Sequence, residues 1–305
     1  MPDIFRDVIF DYTLRNVALG SALLGLVGGV LGTFAVLRRQ GLLGDALAHA
    51  ALPGIALAFM LTGSKAPIVL MVGAAVTGWL GTLAIIRIVG DTRLSEDAAL
   101  GIVLTVFFGL GIVFLTHIQH SGDASQAGLN RYLFGQAATL VQENVVTMAV
   151  SGAVALSIVA LLFKEFKIFS FDPEFAASIG YPVGRLNVLL TSLIVAAVVI
   201  GLQTVGVVLM AAMLIAPAAA ARQWTNRLGS MAALSAFFGA ASGVAGAMIS
   251  VSASRLPTGP MVILAATAIV VVSILFAPER GIVWDSLRRR RLRRELFRAD
   301  RTAPA

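Results

Sequence analysis

Residues 259–277 read GPMVILAATAIVVVSILFA and contain no charged side chain. A run of about 20 mostly apolar residues is long enough to cross a bilayer as an α-helix. Because similar runs recur along the chain, the sequence predicts an all-α, polytopic transmembrane helical bundle of about eight or nine spans. The candidate spans are 16–37, 42–62, 66–88, 98–118, 143–163, 185–200, 203–221, 229–251 and 259–277.

The stretch 185–221 has two possible paths through the bilayer. Gly201-Leu202-Gln203 divides it into two short apolar runs. It is either two short spans hinged at these three residues or one span followed by a re-entrant segment.

The composition argues against a soluble domain and excludes several kinds of active site. Hydrophobic residues make up 58% of the 305 and charged residues 13%, against about 45–50% and about 25% in soluble domains. Because the chain has no cysteine, it can hold no disulfide, thiolate metal site or catalytic thiol. It also lacks the G-x-x-x-x-G-K-[ST] and H-E-x-x-H motifs, which excludes a P-loop and argues against an intramembrane zinc protease.

The basic residues indicate the orientation of the chain. Much of the net charge of +7 comes from the tail after Arg280, so nucleic-acid binding need not follow. Cytoplasmic loops of membrane proteins are enriched in Lys and Arg, and we therefore expect the C-terminus in the cytoplasm. The Arg-rich tail, residues 282–305, is expected to anchor to anionic lipid, with regulation or partner docking as the alternative. Its anchor residues are Arg288, Arg289, Arg290, Arg291, Arg293 and Arg294.

The segment GDALAHAALPG, residues 44–54, places polar side chains inside an apolar span. Asp45 and His49 are four residues apart and share one face of a helix. An ionised side chain at the centre of a membrane helix costs about 2.5–3.5 kcal/mol, so it should face water, a partner or a ligand. Carboxylate oxygen and imidazole nitrogen suit Mn, Fe or Zn. The alternative is that the two side chains hydrogen-bond each other or a neighbouring helix as structural contacts.

Two further residues of this segment predict a break in the helix. Pro53 has no N–H to bond the carbonyl of His49, and Gly54 follows it. Broken helices of this kind form transport sites in membrane carriers. One Asp and one His nevertheless make only half a metal site, and a second copy across a dimer axis would supply the other carboxylate and imidazole.

Two other segments carry candidate functional residues. His117, His120 and Asp123 lie at the predicted outer mouth, either as a site that captures metal or as ordinary polar residues at the interface. Residues 164–184 contain a helix start at Asp172-Pro173-Glu174 and a stop at Gly180 and Pro182. This pattern predicts a short cytoplasmic helix across the base of the bundle, with an amphipathic interfacial turn as the alternative.

Six stretches together resemble the permeases of manganese, zinc and iron ABC importers that work with a cluster A-I type binding protein. The Gly-Asp-x-x-x-His-x-x-x-Pro-Gly, FGQAAT and IAPAAAARQW elements are closest to the manganese-type branch. The six stretches are LLGDALAHAALPGIALAFML (42–61), ALGIVLTVFFGLGIVFLTHIQ (99–119), NRYLFGQAATL (130–140), FSFDPEFAASIG (169–180), VGVVLMAAMLIAPAAAARQW (205–224) and LPTGPMVILAATAIVVVSILFAPERG (256–281).

The resemblance implies a type II-like importer permease in a bacterial inner (plasma) membrane, with residues 1–281 as the transmembrane permease domain. It implies a second permease protomer, identical or paralogous, a cytoplasmic ABC ATPase dimer and an extracytoplasmic metal-binding protein. The chain would not be an enzyme, because the separate ATPase hydrolyses ATP. It would hold no permanent cofactor, only the transported ion, Mn²⁺ or alternatively Zn²⁺ or Fe²⁺.

The resemblance also implies roles for residues. Asp45 and His49 match the metal-coordinating pair of the family, and 165–184 contains the segment that couples to the ATPase. The expected mechanism is alternating access. Two other functions stay open: a proton-coupled secondary carrier with Asp45 as the proton site, and a permease for a larger chelate such as a siderophore. The coupling residues are Phe171, Asp172, Pro173, Glu174, Ala177 and Gly180.

Overall fold

The computed structural model describes residues 12–64, 66–120, 140–252 and 257–284. Within these residues the chain is helical and forms no β-strand. Its helices are α1 (Tyr12–Leu37), α2 (Leu43–Thr62), α3 (Pro67–Asp91), α4 (Glu96–His120), α5 (Gln142–Leu161), α6 (Phe163–Phe171), α7 (Pro173–Ser178), α8 (Val183–Trp224), α9 (Leu228–Ser252) and α10 (Thr258–Phe276).

Eight helical segments of the described chain are long and apolar enough to cross a bilayer. They comprise α1 to α5, the first part of α8 (Val183–Leu202), most of α9 and all of α10. The predicted all-α bundle of eight or nine spans is therefore confirmed. The short helices α6 and α7 connect α5 to α8 at one end of the bundle.

Helix α8 is kinked, and this kink decides the path of the stretch 185–221. Gly206 has φ 81° and ψ 170°, a conformation that glycine adopts without a steric penalty. Residues 201 and 210 would lie about 13 Å apart along a straight helix, yet a Cβ built on Gly201 would overlap Met210 Sδ. The chain thus folds back at Gly206. Of the two paths that the sequence left open, the first placed its hinge a few residues too early, at Gly201-Leu202-Gln203.

The second part of α8 returns along α1. The backbone carbonyl of Met213 lies beside Gly28, and that of Leu214 lies against Gly32. The described part of the chain therefore passes nine times along the bundle, with the last part of α8 as the additional pass.

Helices α1 and α9 run antiparallel in backbone contact. Gly25 lies against Gly239, and the Ser235 hydroxyl donates a 2.6 Å hydrogen bond to the carbonyl of Gly29. Because glycine has no side chain, such pairs allow helices to approach closely where no hydrophobic effect drives their association. The packing of the bundle therefore depends on small residues at these crossings.

The ends of the helices form two opposite faces. Trp224 Nε1 bonds Ser273 Oγ at 2.9 Å, and the Arg38 guanidinium covers the Phe169 ring, so these segments share one face. Gln142 N bonds Tyr12 Oη at 3.2 Å at the other. We call the face that carries Trp224 and Arg38 the basic face. Among the described Lys and Arg residues, only Arg15 lies away from it. The basic face carries Arg38, Arg39, Arg87, Arg93, Lys164, Lys167, Arg185, Arg222, Arg227 and Arg280.

The crossing of α1 and α9 is testable by a single added methyl group. Gly25→Ala places a Cβ on the carbonyl of Gly239, and we expect it to destabilise the protein by about 1–3 kcal/mol. Gly90→Ala is the matched control, because a Cβ there meets no atom within 4 Å. The thermal unfolding midpoint in detergent should fall for Gly25→Ala and stay level or rise for Gly90→Ala. Equal midpoints would contradict the close crossing.

Candidate metal-binding site

Helix α2 carries Asp45 and His49 and is enclosed by its neighbours. Gly54 lies in backbone contact with Gly73 of α3, and a Cβ on Gly111 of α4 would lie 2.9 Å from the Leu52 side chain. Asp45 lies in the first turn of α2, where the helix dipole stabilises a negative charge. The fold therefore holds one face of this helix in place.

The pair has the spacing of two ligands of one metal ion. Asp45 Oδ1 lies 3.3 Å from His49 Nε2. Two ligand atoms about 2.1 Å from a metal are about 3.0 Å apart at octahedral and about 3.4 Å apart at tetrahedral angles. The distance between the two atoms is thus compatible with one ion bound to both. The same distance also allows direct contact between the two side chains, which was the structural alternative.

The His49 ring is oriented by an aromatic neighbour. Its centroid lies 4.7 Å from that of Phe108, the central residue of α4, with the rings at 71°. Nδ1 is buried and has no hydrogen-bond partner among the residues that the structure describes. A buried unpaired nitrogen costs about 1–3 kcal/mol. The imidazole therefore lies level with the middle of α4. Its Nε2 is directed toward Asp45, and its Nδ1 lacks a hydrogen-bond partner among the described residues.

The site is incomplete within the described part of the chain. No group of three or more His, Cys, Asp or Glu residues there could hold a metal ion. Protein metal sites commonly have four or more ligands, so two must come from elsewhere. The Asp45 side chain is 37% exposed, and Phe108 is also 37% exposed beside it. The open side of the pair is therefore the outer flank of the bundle.

The expected helix break beside the pair is absent. Helix α2 continues through Pro53 and Gly54 to Thr62. Pro53 removes one hydrogen bond, to the carbonyl of His49, but the rest of the helix persists and its ring fits against Gly111 of α4. Gly54 serves the close contact with α3. These residues therefore shape the packing behind the site without interrupting its helix.

The outer histidines do not form a metal site among the described residues. His117 and His120 are exposed in the last turn of α4, and His120 Nδ1 lies 2.8 Å from the carbonyl of Thr116. Asp123 lies outside the described residues. A capture site at this mouth stays a prediction.

The segment after α5 forms the short helix that the sequence predicted, α7, preceded by a second short helix, α6, that it did not. Asp172 caps α7, with Oδ1 accepting a 2.9 Å hydrogen bond from Phe175 N, and Pro173 and Glu174 form its first turn. Gly180, at φ 90°, follows the end of α7. Phe171, Asp172, Pro173, Glu174, Ala177 and Gly180 are all exposed on the basic face.

Sequence reasoning missed two exposed apolar residues here. Phe175 and Ile179, 53% and 48% exposed, join Phe171 at four-residue intervals. The four-residue spacing of these apolar residues in the sequence could have revealed the exposed apolar surface. Contiguous exposed apolar side chains of this kind mark interaction surfaces. The Arg-rich tail, Arg288 to Arg294, lies outside the described residues.

Comparisons with known proteins identify the family to which the whole bundle is similar. A family profile described as the ABC 3 transport family matches residues 10–277. The chain is 49% identical to the zinc transport system membrane protein TroC of Treponema pallidum (strain Nichols), over 92% of this chain and 95% of that protein. It is 50% identical to the manganese transport system membrane protein MntC of Bacillus subtilis (strain 168), over 92% of this chain and 65% of that protein.

A solved structure has the same architecture. The structure of PsaBC from Streptococcus pneumoniae in complex with Fab contains a chain that is 33% identical to this one. The TM-score is 0.78, and the match covers 92% of this chain and 97% of that chain.

Proposed function

The chain belongs to the ABC 3 transport family, and from this premise we propose that it is the membrane permease of an ATP-driven importer of divalent transition metal ions. The cargo proposed is Mn²⁺, with Zn²⁺ or Fe²⁺ as alternatives, since relatives are named for manganese and zinc transport. The observation that carries the proposal is the Asp45–His49 pair, spaced as two ligands of one ion. As a transport subunit the chain is not an enzyme, and a separate subunit hydrolyses ATP.

Two protomers complete the site in this proposal. The pair has its open side on the bundle flank, where an ionised carboxylate in contact with lipid would be costly. A second copy, or a paralogous permease with the same pair, brings a second carboxylate and a second imidazole to the ion. Two carboxylates balance the charge of a divalent cation, and oxygen and nitrogen ligands without thiolate suit Mn²⁺.

The ligand set supports transport by alternating access. The ion must bind strongly enough to lose water and weakly enough to leave on the other side. Zn²⁺ binds such ligands more strongly than Mn²⁺, so selectivity must come from geometry and ligand number. A site divided between two protomers has such a geometric control, because a movement of one protomer against the other changes all four ligand positions at once.

The charge distribution supports a cytoplasmic location for the basic face. The C-terminus then lies in the cytoplasm of a bacterial cell, and the opposite face receives the extracytoplasmic metal-binding protein. The exposed residues of α6 and α7, with Phe171, Phe175 and Ile179 as the apolar contacts, are placed to receive the ATPase dimer. Asp172, Pro173, Glu174, Ala177 and Gly180 shape this surface.

Substitution of the pair tests the proposed function. In vesicles that contain the permease, its ATPase and the binding protein, Asp45→Asn and His49→Ala should lower vanadate-sensitive Mn²⁺ uptake by more than about tenfold, since even an outer-shell partner contributes 10- to 100-fold. The complex should still assemble. Asp91→Asn, an exposed carboxylate that faces Arg87, is the control with normal uptake. Unchanged uptake in the Asp45 and His49 variants would refute the site, and vanadate-insensitive uptake would favour a proton-coupled carrier.

The shared site also predicts which flank faces the second protomer. Thr105 is exposed one turn from Phe108, and Thr147 is exposed on α5; each hydroxyl bonds the carbonyl four residues before it. Since the chain has no cysteine, Thr105→Cys and Thr147→Cys give single reactive thiols. A short bis-maleimide should link Thr105→Cys protomers of a homodimer, or Thr105→Cys to a matching thiol in a paralogous partner. Linking at Thr147→Cys in preference to Thr105→Cys would contradict this arrangement.

A further inference from the structure

Helix α6 docks on the end of α1 through one face. The ring centroids of Phe163 and Phe166 lie 6.4 and 5.8 Å from that of Phe34. One turn further, the Arg38 guanidinium carbon lies 4.5 Å from the centroid of the Phe169 ring. Phe166 and Phe169 are buried, so these contacts are shielded from water. A movement of α6 must therefore displace the end of α1.

The linker between α1 and α2 is a tight turn that can transmit such a movement. Arg39 has φ 61°, and the N–H of Gln40 donates a 2.9 Å hydrogen bond to the carbonyl of Ala35. Arg39 N bonds Val36 O at 3.2 Å, which completes a Schellman motif at the end of α1. The N–H of Leu43 then bonds the carbonyl of Gln40 at 3.1 Å. Asp45 lies in the next turn, so the linker joins Arg38 closely to the metal ligand.

Arg38 also faces the start of α4. The Gln40 amide donates a hydrogen bond to the Glu96 carboxylate. Burial lowers the pKa of Arg38, and the negative charge of Glu96 opposes that change. Arg38 is thus a buried guanidinium on the face of an aromatic ring of α6, and it feels the charge of a carboxylate on α4.

The surroundings of Arg38 leave space for a second arrangement. Arg38 Nη1 and Gln40 Oε1 are buried, and neither has a hydrogen-bond partner in the described part of the chain. A cavity of about 170 Å³ lies beside Gln40 and Glu96, with Thr82 and Asn187 in its wall. Partly satisfied buried networks are costly, and a small displacement can change which partners they hold. The cavity gives the Gln40–Glu96 pair space for that displacement.

We infer that Arg38 is a positioning residue that transmits movement of α6, through its contact with Phe169 and the linker 38–42, to the Asp45–His49 helix. The inference rests on the proposed function, because it requires that an ATPase moves α6 and α7. In this role Arg38 couples ATP hydrolysis to metal movement. It does not contact the metal itself.

The planar guanidinium is the feature that this role needs. Arg stacks on an aromatic face and keeps donors in its plane for a carboxylate, whereas the Lys ammonium is a compact charge without a plane. Arg38→Lys should therefore keep part of the coupling, and Arg38→Ala should lose it. Arg93→Ala is the control, because Arg93 is an exposed cation on the same face.

The test measures Mn²⁺ uptake and ATP hydrolysis in the same vesicles with the complete transporter. For Arg38→Ala we expect the ratio of ions moved to ATP hydrolysed to fall by about tenfold, a typical size for coupling between sites. The KM for Mn²⁺ should stay unchanged, because Asp45 and His49 are intact. Arg38→Lys should give an intermediate ratio and Arg93→Ala a normal one. Phe169→Leu removes the ring face and should lower the ratio as well, which keeps the inference testable if Arg38→Ala does not assemble.

The outcomes separate this inference from the function on which it rests. A normal ratio in Arg38→Ala or, if that variant does not assemble, in Phe169→Leu would overturn the inference alone. A parallel fall of uptake and hydrolysis, with an unchanged ratio, would also overturn it and would indicate a purely structural role. If the unaltered complex shows no ATP-driven uptake, the proposed function fails and the inference fails with it.

Discussion

The cost of holding an ionisable carboxylate on the flank of an apolar bundle is the constraint on which the rest of the structure depends. Asp45 is partly exposed there, and His49 beside it has a buried nitrogen without a partner among the described residues. Lipid can satisfy neither group. In the proposed assembly a metal ion and a second protomer satisfy the Asp45 carboxylate, which explains why an incomplete site can persist in a stable fold.

The surrounding helices hold this pair while leaving its open side free. Glycine contacts bring α3 and α4 against the back of α2, and Phe108 fixes the imidazole. The linker before α2 ends α1 in a Schellman motif and places Asp45 in the first turn. The same linker contacts α6, so the part of the chain proposed to bind metal and the part proposed to meet the ATPase are neighbours in space. The proposed coupling therefore needs only a short path.

Hydropathy was sufficient to predict the bundle, because each span must satisfy its own backbone hydrogen bonds and bury apolar side chains. The four-residue spacing was sufficient to place Asp45 and His49 together. Phe108 could not be predicted, because its contact with His49 depends on the packing of two helices. One of the two expected paths placed the hinge a few residues before Gly206, since several glycines in that stretch could adopt a positive φ and the sequence does not distinguish them. Pro53 was expected to break α2. Helix α2 instead continues through Pro53, whose ring fits against Gly111 in a tertiary contact that the sequence does not reveal.

The central claim is that the metal site is divided between two protomers. Pulsed electron paramagnetic resonance of Mn²⁺ bound to the intact complex counts the imidazole nitrogens that couple to the ion. The account predicts two imidazole groups per Mn²⁺, with the contribution of this chain lost in His49→Ala. Coupling to a single imidazole in the unaltered complex, with all other ligands from one chain, would contradict it.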